Sequence, residues 1–520
     1  MVEHRGNDLP DQACMVTLAH TIAFEGMEPR AVEVQCALAP GIPAFTIVGL
    51  PDKAVSEARE RVRAALAALS VALPAKRITI NLSPADLPKE GSHFDLPIAM
   101  ALLGALGMVT QDVLDGLVCL GELSLDGSLV GVSGVLPAAL EAAEQGRSLL
   151  CPGANGSEAA WVETTQVLAP PDLAAALRHF TGQQALPQPL AKAPRDDGFA
   201  LDMADVKGQD KAKRALEIAA AGRHHILLTG PPGTGKSMLA ARLPSILPPL
   251  SAAEALETSM IHSISGHLGE AGITAHRPFR DPHHTASMAA IVGGGKGAKP
   301  GEVSLAHNGV LFLDELPEFS RAVLETLRQP IETARVSVSR ANAHVHYPCR
   351  FMLVAAANPC RCGYLSDPSR ACGRAPQCGA DYLGRISGPL MDRIDLMQEV
   401  PQVDYRDLGS PAAGPSSGEM RARVQAARDI QTARFSGLEG VHTNADAAGS
   451  VLDEVAQLDT AAQGILTAFA TRFSLSARAY HRALRLARTI ADLEGAARID
   501  HGHLAEALSF RQTGPTAAAA

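Results

Sequence analysis

A glycine-rich loop is the first segment of this chain whose residue types and spacing could do chemistry. It follows the apolar run 226–228 and opens a helical stretch, matching the pattern G-x-x-x-x-G-K-[ST]. Glycines let backbone N–H groups turn inward around a phosphate, the Lys reaches the β- and γ-phosphates, and the Ser hydroxyl holds Mg²⁺. The predicted site for ATP and Mg²⁺ consists of Gly230, Pro231, Pro232, Gly233, Thr234, Gly235, Lys236 and Ser237.

Two further apolar runs end in polar side chains. Residues 310–313 lead to Asp314 and Glu315, and residues 351–356 lead to Asn358. Asp314 is expected to bind Mg²⁺ through water, Glu315 to polarise the attacking water, and Asn358 to orient the same water. Taken alone, the first pattern is also common in structural strands, and Asn-Pro also marks a turn. Because ligands of open α/β sheets bind at the carboxyl ends of strands, we expect these residues beside the loop.

Arginines are the candidates for stabilising the transferred phosphate. Arg393 lies far from the loop in sequence, and a guanidinium at a γ-phosphate stabilises transition-state charge. The alternative is an ion pair of Arg393 with Asp392 or Asp395. Three more arginines share one face of a predicted helix: Arg478, Arg482 and Arg485. Such spacing is typical of a solvated basic stripe, and only Arg478 is retained as a site residue, on the resemblance given below.

A cluster of cysteines follows Asn358. Its members are Cys360, Cys362, Cys372 and Cys378. Four thiolates suit tetrahedral Zn²⁺, but C-x-C is tighter than the usual spacing of zinc ligands. The pattern therefore allows either a zinc site or four reduced thiols in a loop.

Two loops are candidates for contact with DNA. Residues 334–338 and 344–347 are β-like, which predicts a hairpin with Arg340 near its tip. Lys296 and Lys299 lie in a glycine-rich loop. Basic loop tips can bind the phosphate backbone, although ordinary exposed loops fit the same pattern.

Composition excludes several classes of protein. Hydrophobic residues make up 46% and charged residues 19%, as in ordinary soluble globular proteins. The net charge of −9 argues against a globally basic nucleic-acid coat but allows a local basic channel. There is neither an apolar run long enough for a bilayer span nor a secretory signal. We therefore expect a cytoplasmic protein without membrane contact.

Two stretches rich in Pro, Gly and small polar residues divide the chain. These predicted linkers are residues 181–200 and 407–418. They predict an N-terminal domain over 1–185, a central domain over 200–406 and a C-terminal domain over 415–515.

The apolar patterning predicts a different fold for each part. The N-terminal part mixes β-like runs (44–48, 77–81 and 117–120) with helix-like runs (56–69 and 96–106), which fits an α/β or an α+β fold. The central part alternates strands and helices, as in a parallel sheet wrapped by helices. The C-terminal part is helical over 453–473, 477–492 and 501–510. The fold class is therefore α/β with a helical C-terminal domain.

Several longer motifs closely resemble the YifB/ComM family, whose members are magnesium-chelatase-like AAA+ ATPases. The motifs are residues 277–285, 300–309, 310–317, 358–360, 387–395 and 476–480. The resemblance covers nearly the whole chain and implies a central AAA+ P-loop domain with a C-terminal helical lid.

The resemblance implies a Lon-protease-like N-terminal domain, which is expected to be non-proteolytic. Residues 45–51 and 81–91 carry this part of the resemblance. Lon-type proteases use a Ser–Lys dyad, and Ser92 lies in the segment that would bear the serine. There is no Lys between residues 89 and 192, so the serine lacks its base.

The resemblance also implies a ring, expected to be a homohexamer, with ATP between subunits. Arg393 then corresponds to the arginine finger, Asn358 to the first sensor and Arg478 to the second. The loops at Lys296 and Arg340 would face the pore. The family includes a competence protein that acts as a DNA helicase and promotes branch migration in natural transformation, so single-stranded or branched DNA is the expected partner.

Two rival functions stay open at this point. The first is a chelatase-type ATPase that remodels another protein without depending on DNA. The second is an ATP-dependent protease, which the missing Lys disfavours.

Overall fold

The chain forms two units. The computed structural model describes residues 16–192, 198–268, 272–295, 298–340, 343–365, 369–403 and 414–511. The N-terminal unit comprises the residues up to Arg195 together with Ala255–Thr274, and the P-loop unit comprises Asp196–Glu254 and the residues from Ala275 onwards. Residues 255–274, although interior to the predicted central domain in sequence, thus belong to the first unit. The predicted division into three domains stays a prediction.

The N-terminal unit is built on a mixed seven-stranded sheet with the order β3-β4-β2-β1-β5-β8-β9. Long alternating runs form its centre, and β1 and β2 pair antiparallel along their whole length. The strands are β1 (Val16–Glu25), β2 (Glu28–Ala39), β3 (Ala44–Val48), β4 (Arg77–Ser83), β5 (Leu117–Cys119), β8 (Ser148–Leu150) and β9 (Val167–Leu168). A separate small ribbon consists of β6 (Glu122–Leu123) and β7 (Leu129–Val130).

Two helices of this unit pack against each other and against the sheet. They are Lys53–Ala68, which Asp52 caps by accepting from the Val55 N–H, and Asp95–Ala105, which is almost wholly buried. The other helices are Gln111–Asp115, Val135–Glu144, Gly156–Ala159 and Leu173–Phe180. The β-like and helix-like runs predicted for this part are confirmed. The β1–β2 hairpin was not predicted.

The P-loop unit contains a five-stranded parallel sheet with the order β11-β14-β17-β10-β18. Its strands are β10 (Ile226–Thr229), β11 (Phe279–Arg280), β14 (Val310–Leu313), β17 (Met352–Ala357) and β18 (Leu396–Glu399). Strand β17 is buried at every position, as expected for a parallel strand covered on both faces. The predicted parallel α/β architecture is confirmed.

Two β-hairpins accompany this sheet. The first pairs β12 (Gly293–Gly294) with β13 (Lys299–Pro300), and the second pairs β15 (Arg335–Arg340) with β16 (Ala343–Pro348). The second is the hairpin predicted around Arg340.

Helices of the P-loop unit share one apolar core that extends from Met203 to Phe510. Up to residue 403 they are Asp210–Gly222, Lys236–Arg242, Ala252–Ser265 (whose residues from 255 belong to the N-terminal unit), Met288–Val292, Glu302–Leu305, Arg321–Thr326, Arg328–Thr333, Gln377–Leu383 and Gly388–Met391. After residue 414 they are Ser417–Arg434, Gly449–Val455, Thr460–Arg472, Ala477–Leu493 and His501–Ser509.

The C-terminal prediction needs one correction. The single helix expected over 453–473 is wrong, because the chain leaves the helix after Val455 and a new helix, capped by Asp459, begins at Thr460. Within the described ranges, no helix is both long and apolar enough to cross a membrane.

Candidate active site

Three neighbouring strands bring their polar ends to one edge of the parallel sheet. Strand β17 lies between β10 and β14, with Thr229 opposite Ala357 and Leu313 opposite Ala355. Each of these strands is followed directly by a predicted site residue: Gly230, Asp314 and Asn358. The sheet therefore assembles the groups that the sequence pattern predicted to meet.

The glycine-rich loop has a backbone that other residues could not adopt. Gly233 and Gly235 have φ values of +77° and +90°, in the left-handed region that favours glycine. At Gly230 a Cβ would lie 2.2 Å from the carbonyl oxygen of Val400. The glycines thus allow a tight loop between β10 and the helix that begins at Lys236.

Lys236 lies at the centre of this site. Its Nζ donates to the carbonyls of Gly230 and Pro231, at 2.8 Å each, and to Oδ1 of Asn358 at 3.2 Å. Burial lowers the pKa of the amine, and the charges of Asp314 and Glu315 oppose that shift. The amine is thus held by neutral oxygens, which a phosphate can replace.

The oxygen ligands expected for Mg²⁺ are already paired with each other. The Ser237 hydroxyl donates to Oδ2 of Asp314 at 2.6 Å. Hydroxyl and carboxylate oxygens beside a phosphate site are the ligands that Mg²⁺ uses, so these two residues fit the cofactor. We refer to Lys236, Ser237, Asp314, Glu315 and Asn358 as the P-loop cluster.

Glu315 is held in an unusual backbone conformation. Its φ is +51°, and its N–H donates to Oδ1 of Asp314 at 2.9 Å. Nδ1 of His284 lies 3.7 Å from Oε2 of Glu315, whose side chain is half-exposed. The adjacent pair His283-His284 stands out in the sequence as hydrogen-bonding residues or metal ligands, but nothing there points to Glu315 as the partner of His284.

Arg393 and Arg478 lie in a second pocket, which we call the arginine pocket. It is a cavity of about 480 Å³, and its lining does not include any residue of the P-loop cluster. Arg393 forms an ion pair with Glu332, and Nη2 of Arg478 lies 3.8 Å from the same carboxylate. The structure thus brings the two predicted arginines together through a residue that sequence analysis missed.

The alternative expected for Arg393, a pair with Asp392 or Asp395, is not what the structure shows. Asp392 lies 3.6 Å from Arg482, and Asp395 lies 3.4 Å from Nδ1 of His224. Arg393 is instead directed to Glu332.

The basic stripe on the helix Ala477–Leu493 is not uniformly solvated. Arg482 is 5% exposed and donates to the carbonyl of Ile394, and burial lowers its pKa to about 10. Both Arg482 and Arg485 line the arginine pocket. The solvated-stripe interpretation is therefore wrong for Arg482.

Some guanidinium groups in this pocket have spare donors. Within the described residues, the buried Nε atoms of Arg393 and Arg485 have no hydrogen-bond acceptor. Buried unpaired donors are costly, so an anion that accepts from them would be stabilised here. The pocket has the chemistry of an anion site.

His225 is a neutral member of the same pocket. Its ring Nδ1 accepts from the Leu353 N–H at 3.0 Å, and its backbone N–H donates to Oδ2 of Asp395 at 3.1 Å. Burial lowers its pKa to about 4, although Asp395 opposes the shift.

The two candidate DNA loops lie side by side. The Tyr347 hydroxyl donates to the carbonyl of Ala298 at 3.0 Å, and a Cβ at Gly293 would lie 3.2 Å from Val338. Lys299 is exposed on the first hairpin. Lys296 lies outside the described residues, and Arg340 ends strand β15 at the tip of the second hairpin.

The four cysteines meet in one cluster. The sulfur atoms of Cys360, Cys362 and Cys378 all lie within 4.8 Å of one another, and Cys372 interacts with both Cys362 and Cys378.

In the N-terminal unit, the Ser92 hydroxyl donates to the carboxylate of Glu122. Lys89, the last lysine before residue 192, is buried and its amine donates to the carbonyl of Pro84. The Ser92 hydroxyl thus contacts a carboxylate and not the amine that a Ser–Lys dyad uses. The expected lack of proteolysis stays a prediction.

Comparisons with known proteins agree with the motifs. Family models of magnesium chelatase match three stretches: "Subunit ChlI of Mg-chelatase" over residues 32–155, "Magnesium chelatase, subunit ChlI" over 202–408, and "Magnesium chelatase, subunit ChlI C-terminal" over 414–511.

Three relatives illustrate the range of similarity. "Uncharacterized protein YifB" of Salmonella typhimurium is 43% identical over 497 residues, which is 95% of this chain and 97% of the relative. "Competence protein ComM" of Haemophilus influenzae is 43% identical over 502 residues, with the same coverage of both chains. "Magnesium-chelatase 38 kDa subunit" of Rhodobacter capsulatus is 28% identical over 171 residues, 30% of this chain and 49% of that protein.

Proposed function

Because the chain belongs to the YifB/ComM family of magnesium-chelatase-like AAA+ ATPases, we propose that it forms a ring, a homohexamer, that uses Mg-ATP hydrolysis to move on DNA. The DNA is single-stranded or branched, and the activity is a helicase that promotes branch migration in natural transformation or homologous recombination. The main support for a ring-shaped ATPase is that the predicted ATP-contacting residues lie in two separate pockets, the P-loop cluster and the arginine pocket. Two subunits would then each contribute one of these pockets to an ATP site.

In the P-loop cluster, the residues have separable roles. Lys236 would exchange its contacts with the carbonyls of Gly230 and Pro231 for phosphate oxygens. Ser237 and Asp314 would hold Mg²⁺, which would supply positive charge to the phosphates. Glu315 would take up the proton of the attacking water, and Asn358 would orient that water.

The arginine pocket would receive the γ-phosphate of ATP bound to a neighbouring subunit. Arg393 would act as the arginine finger and Arg478 as the second sensor, and both already converge on one carboxylate. Glu332 thus occupies the position of an anion that two guanidinium groups share. A phosphate has more charge than this carboxylate and could also accept from the unpaired Nε atom of Arg393.

DNA contacts would come from the two hairpins β12–β13 and β15–β16, which we call the paired hairpins. Lys299 and Arg340 lie on two hairpins that are joined by the hydrogen bond from Tyr347 to Ala298, so a movement of one hairpin would be transmitted to the other. Lys296 is the third proposed contact. With a net charge of −9, this chain requires such contacts to be local. The competence relative supports a DNA partner, and a cytoplasmic location follows from that partner.

The remaining domains complete this proposal. The N-terminal unit is assigned as Lon-protease-like and non-proteolytic, and the helices from Ser417 onwards as the lid. ATP and Mg²⁺ are the cofactors of this activity.

A protein-remodelling ATPase without DNA dependence is the second candidate. The similarity to a magnesium-chelatase subunit favours it, because that protein is 28% identical over 171 residues. In that case the paired hairpins would contact a protein instead of DNA.

Steady-state ATP hydrolysis by the purified chain tests both candidates. It is measured without DNA and with single-stranded, duplex and forked DNA, with Lys236→Ala as the blank. Stimulation by single-stranded or forked DNA that is absent in the variant is the expected result. Hydrolysis that ignores every DNA would replace the DNA motor by the remodelling ATPase.

A further inference from the structure

The cysteine cluster is built by two turns that bring distant residues together. In the first turn the Gly363 N–H donates to the carbonyl of Cys360 at 3.0 Å, and Cys362 lies inside it. In the second, the Ala375 N–H donates to the carbonyl of Cys372 at 3.0 Å, and the helix Gln377–Leu383 then presents Cys378. The two turns thus bring four thiols from two segments of the chain close to one another.

The spacing of the sulfur atoms fits a tetrahedral metal site. Those of Cys360 and Cys362 are 3.0 Å apart, and that of Cys378 lies within 4.8 Å of both. Four sulfurs at about 2.3 Å from Zn²⁺ would be about 3.8 Å apart in a tetrahedron. The 3.0 Å separation is shorter than that value and the 4.8 Å limit is longer, so these three sulfur atoms are close enough to share one ion.

Backbone groups hold one sulfur in place. The backbone N–H groups of Tyr364 and Cys372 both donate to the sulfur of Cys362. Contacts of this kind, from groups outside the ligand set, orient the ligands in metal sites. They fix the position of the Cys362 sulfur beside those of Cys360 and Cys378.

We propose that Cys360, Cys362, Cys372 and Cys378 bind one structural Zn²⁺ ion. The four thiolates would close the coordination sphere, which is typical of structural and not catalytic zinc. The site would be independent of DNA binding, since it shares no residue with the paired hairpins.

The position of the cluster links it to the nucleotide site. Cys360 follows Asn358 by two residues, and Asn358 contacts Lys236. Gly363 packs against the glycine-rich loop so closely that a Cβ would lie 2.6 Å from Cδ of Pro232. Zinc would therefore hold the segment after β17 against the loop that binds ATP.

The test measures metal in the full-length chain, purified without chelator from zinc-supplemented cells. Elemental analysis is expected to give about one Zn²⁺ per chain. Cys362→Ser and Cys372→Ser are expected to lose at least half of it. Cys349→Ser is the matched control, because Cys349 lies in the same unit and outside the cluster, donating to the carbonyl of Pro330.

A second readout does not depend on any variant. Replacing the metal of the wild-type chain by Co²⁺ should produce a thiolate-to-metal charge-transfer band and the visible spectrum of tetrahedral cobalt. Wild-type protein without zinc that also fails to bind added Zn²⁺ or Co²⁺ would overturn the proposal. So would a disulfide between Cys360 and Cys362 in protein purified under reducing conditions.

Discussion

The P-loop cluster and the arginine pocket differ in how their positive charges are held. Lys236 is bonded to neutral oxygens, two carbonyls and the amide of Asn358. Arg393 and Arg478 instead share the carboxylate of Glu332. A phosphate approaching Lys236 therefore displaces neutral groups, whereas one approaching the arginines must displace a charge. Under the proposed function, the first pocket would bind a nucleotide without breaking an ion pair, and the second would bind an anion only in competition with Glu332.

The largest expected effect on ATP hydrolysis comes from a substitution that removes one pocket's function and leaves the other pocket intact. Arg393→Ala should lower ATP hydrolysis by about 10³-fold, because an arginine finger stabilises transition-state charge. ATP affinity should change little, unlike in Lys236→Ala. Arg385→Ala is a suitable control, because Arg385 pairs with Glu318 near the surface.

Mixing the two inactive variants sharpens this test. If Arg393 serves a neighbouring subunit, a mixture of Lys236→Ala and Arg393→Ala chains should regain part of the wild-type rate. A mixture that stays as inactive as its components, with ATP affinity lost in Arg393→Ala, would place Arg393 at its own P-loop.

Within the P-loop cluster, Glu315→Gln should lower kcat by about 10²-fold, since the attacking water loses its base. Binding of a fluorescent ATP analogue should persist, because Lys236 and Ser237 are intact. Glu318→Gln provides the comparison, three residues away. Equal losses in both variants would mean that Glu315 has no special role.

The arginine pocket should also make stability depend on pH through His225. The pKa of His225 is about 4 in the folded chain and about 6.5 in an unfolded chain, so the unfolded state binds more protons between these values. Stability is therefore present above about pH 6.5 and falls as the pH drops towards 4, by about 3 kcal/mol from this group.

His225→Asn keeps an acceptor for the Leu353 N–H and removes the titration. Urea unfolding at pH 7.5 and pH 5 should show a smaller loss of stability in the variant than in the wild type. Identical losses would assign the pH dependence to other histidines.

The smallest expected effect is on the KM for ATP, when the carboxylate of Glu332 that pairs with Arg393 and Arg478 is removed. Glu332→Gln should lower the KM for ATP by about threefold, because an ion pair whose carboxylate is half-exposed contributes no more than about 1 kcal/mol. Glu325→Gln removes a carboxylate that pairs with Arg328 instead, and should leave the KM unchanged. A rise in KM for Glu332→Gln would show that the carboxylate positions the arginines and does not compete with ATP.

The two pockets were not equally predictable from sequence. The P-loop cluster could be assembled from one contiguous motif and two strand ends, because parallel strands bring their carboxyl ends to one edge. The arginine pocket depends on Glu332, Arg393 and Arg478, whose meeting requires the tertiary fold. Helical spacing found the basic face but could not show that Arg482 is buried.

Some elements carried signals that sequence analysis missed. Strands β1 and β2 are joined by Gly26 and Met27, and Gly26 has a φ of +66°, as a tight hairpin turn requires. The helix Ser417–Arg434 begins with a capping box between Ser416 and Glu419. By contrast, no local pattern could reveal that Ala255–Thr274 belongs to the N-terminal unit.

Because residues 255–274 belong to the N-terminal unit, this unit is affected by the order in which the ribosome synthesises the chain. Ile261 is fully buried, Gly134 donates to the carbonyl of Ser263 at 3.1 Å, and the Ser263 hydroxyl donates to Glu158 at 2.5 Å. The N-terminal unit therefore cannot be completed when residue 195 emerges. It must wait until residue 274 has been translated, and by then the glycine-rich loop, which precedes that residue, has been translated as well. Folding of the N-terminal unit can therefore be completed only after part of the P-loop unit has been synthesised. A fragment cut at the predicted linker 181–200 would lack residues 255–274 of the N-terminal unit.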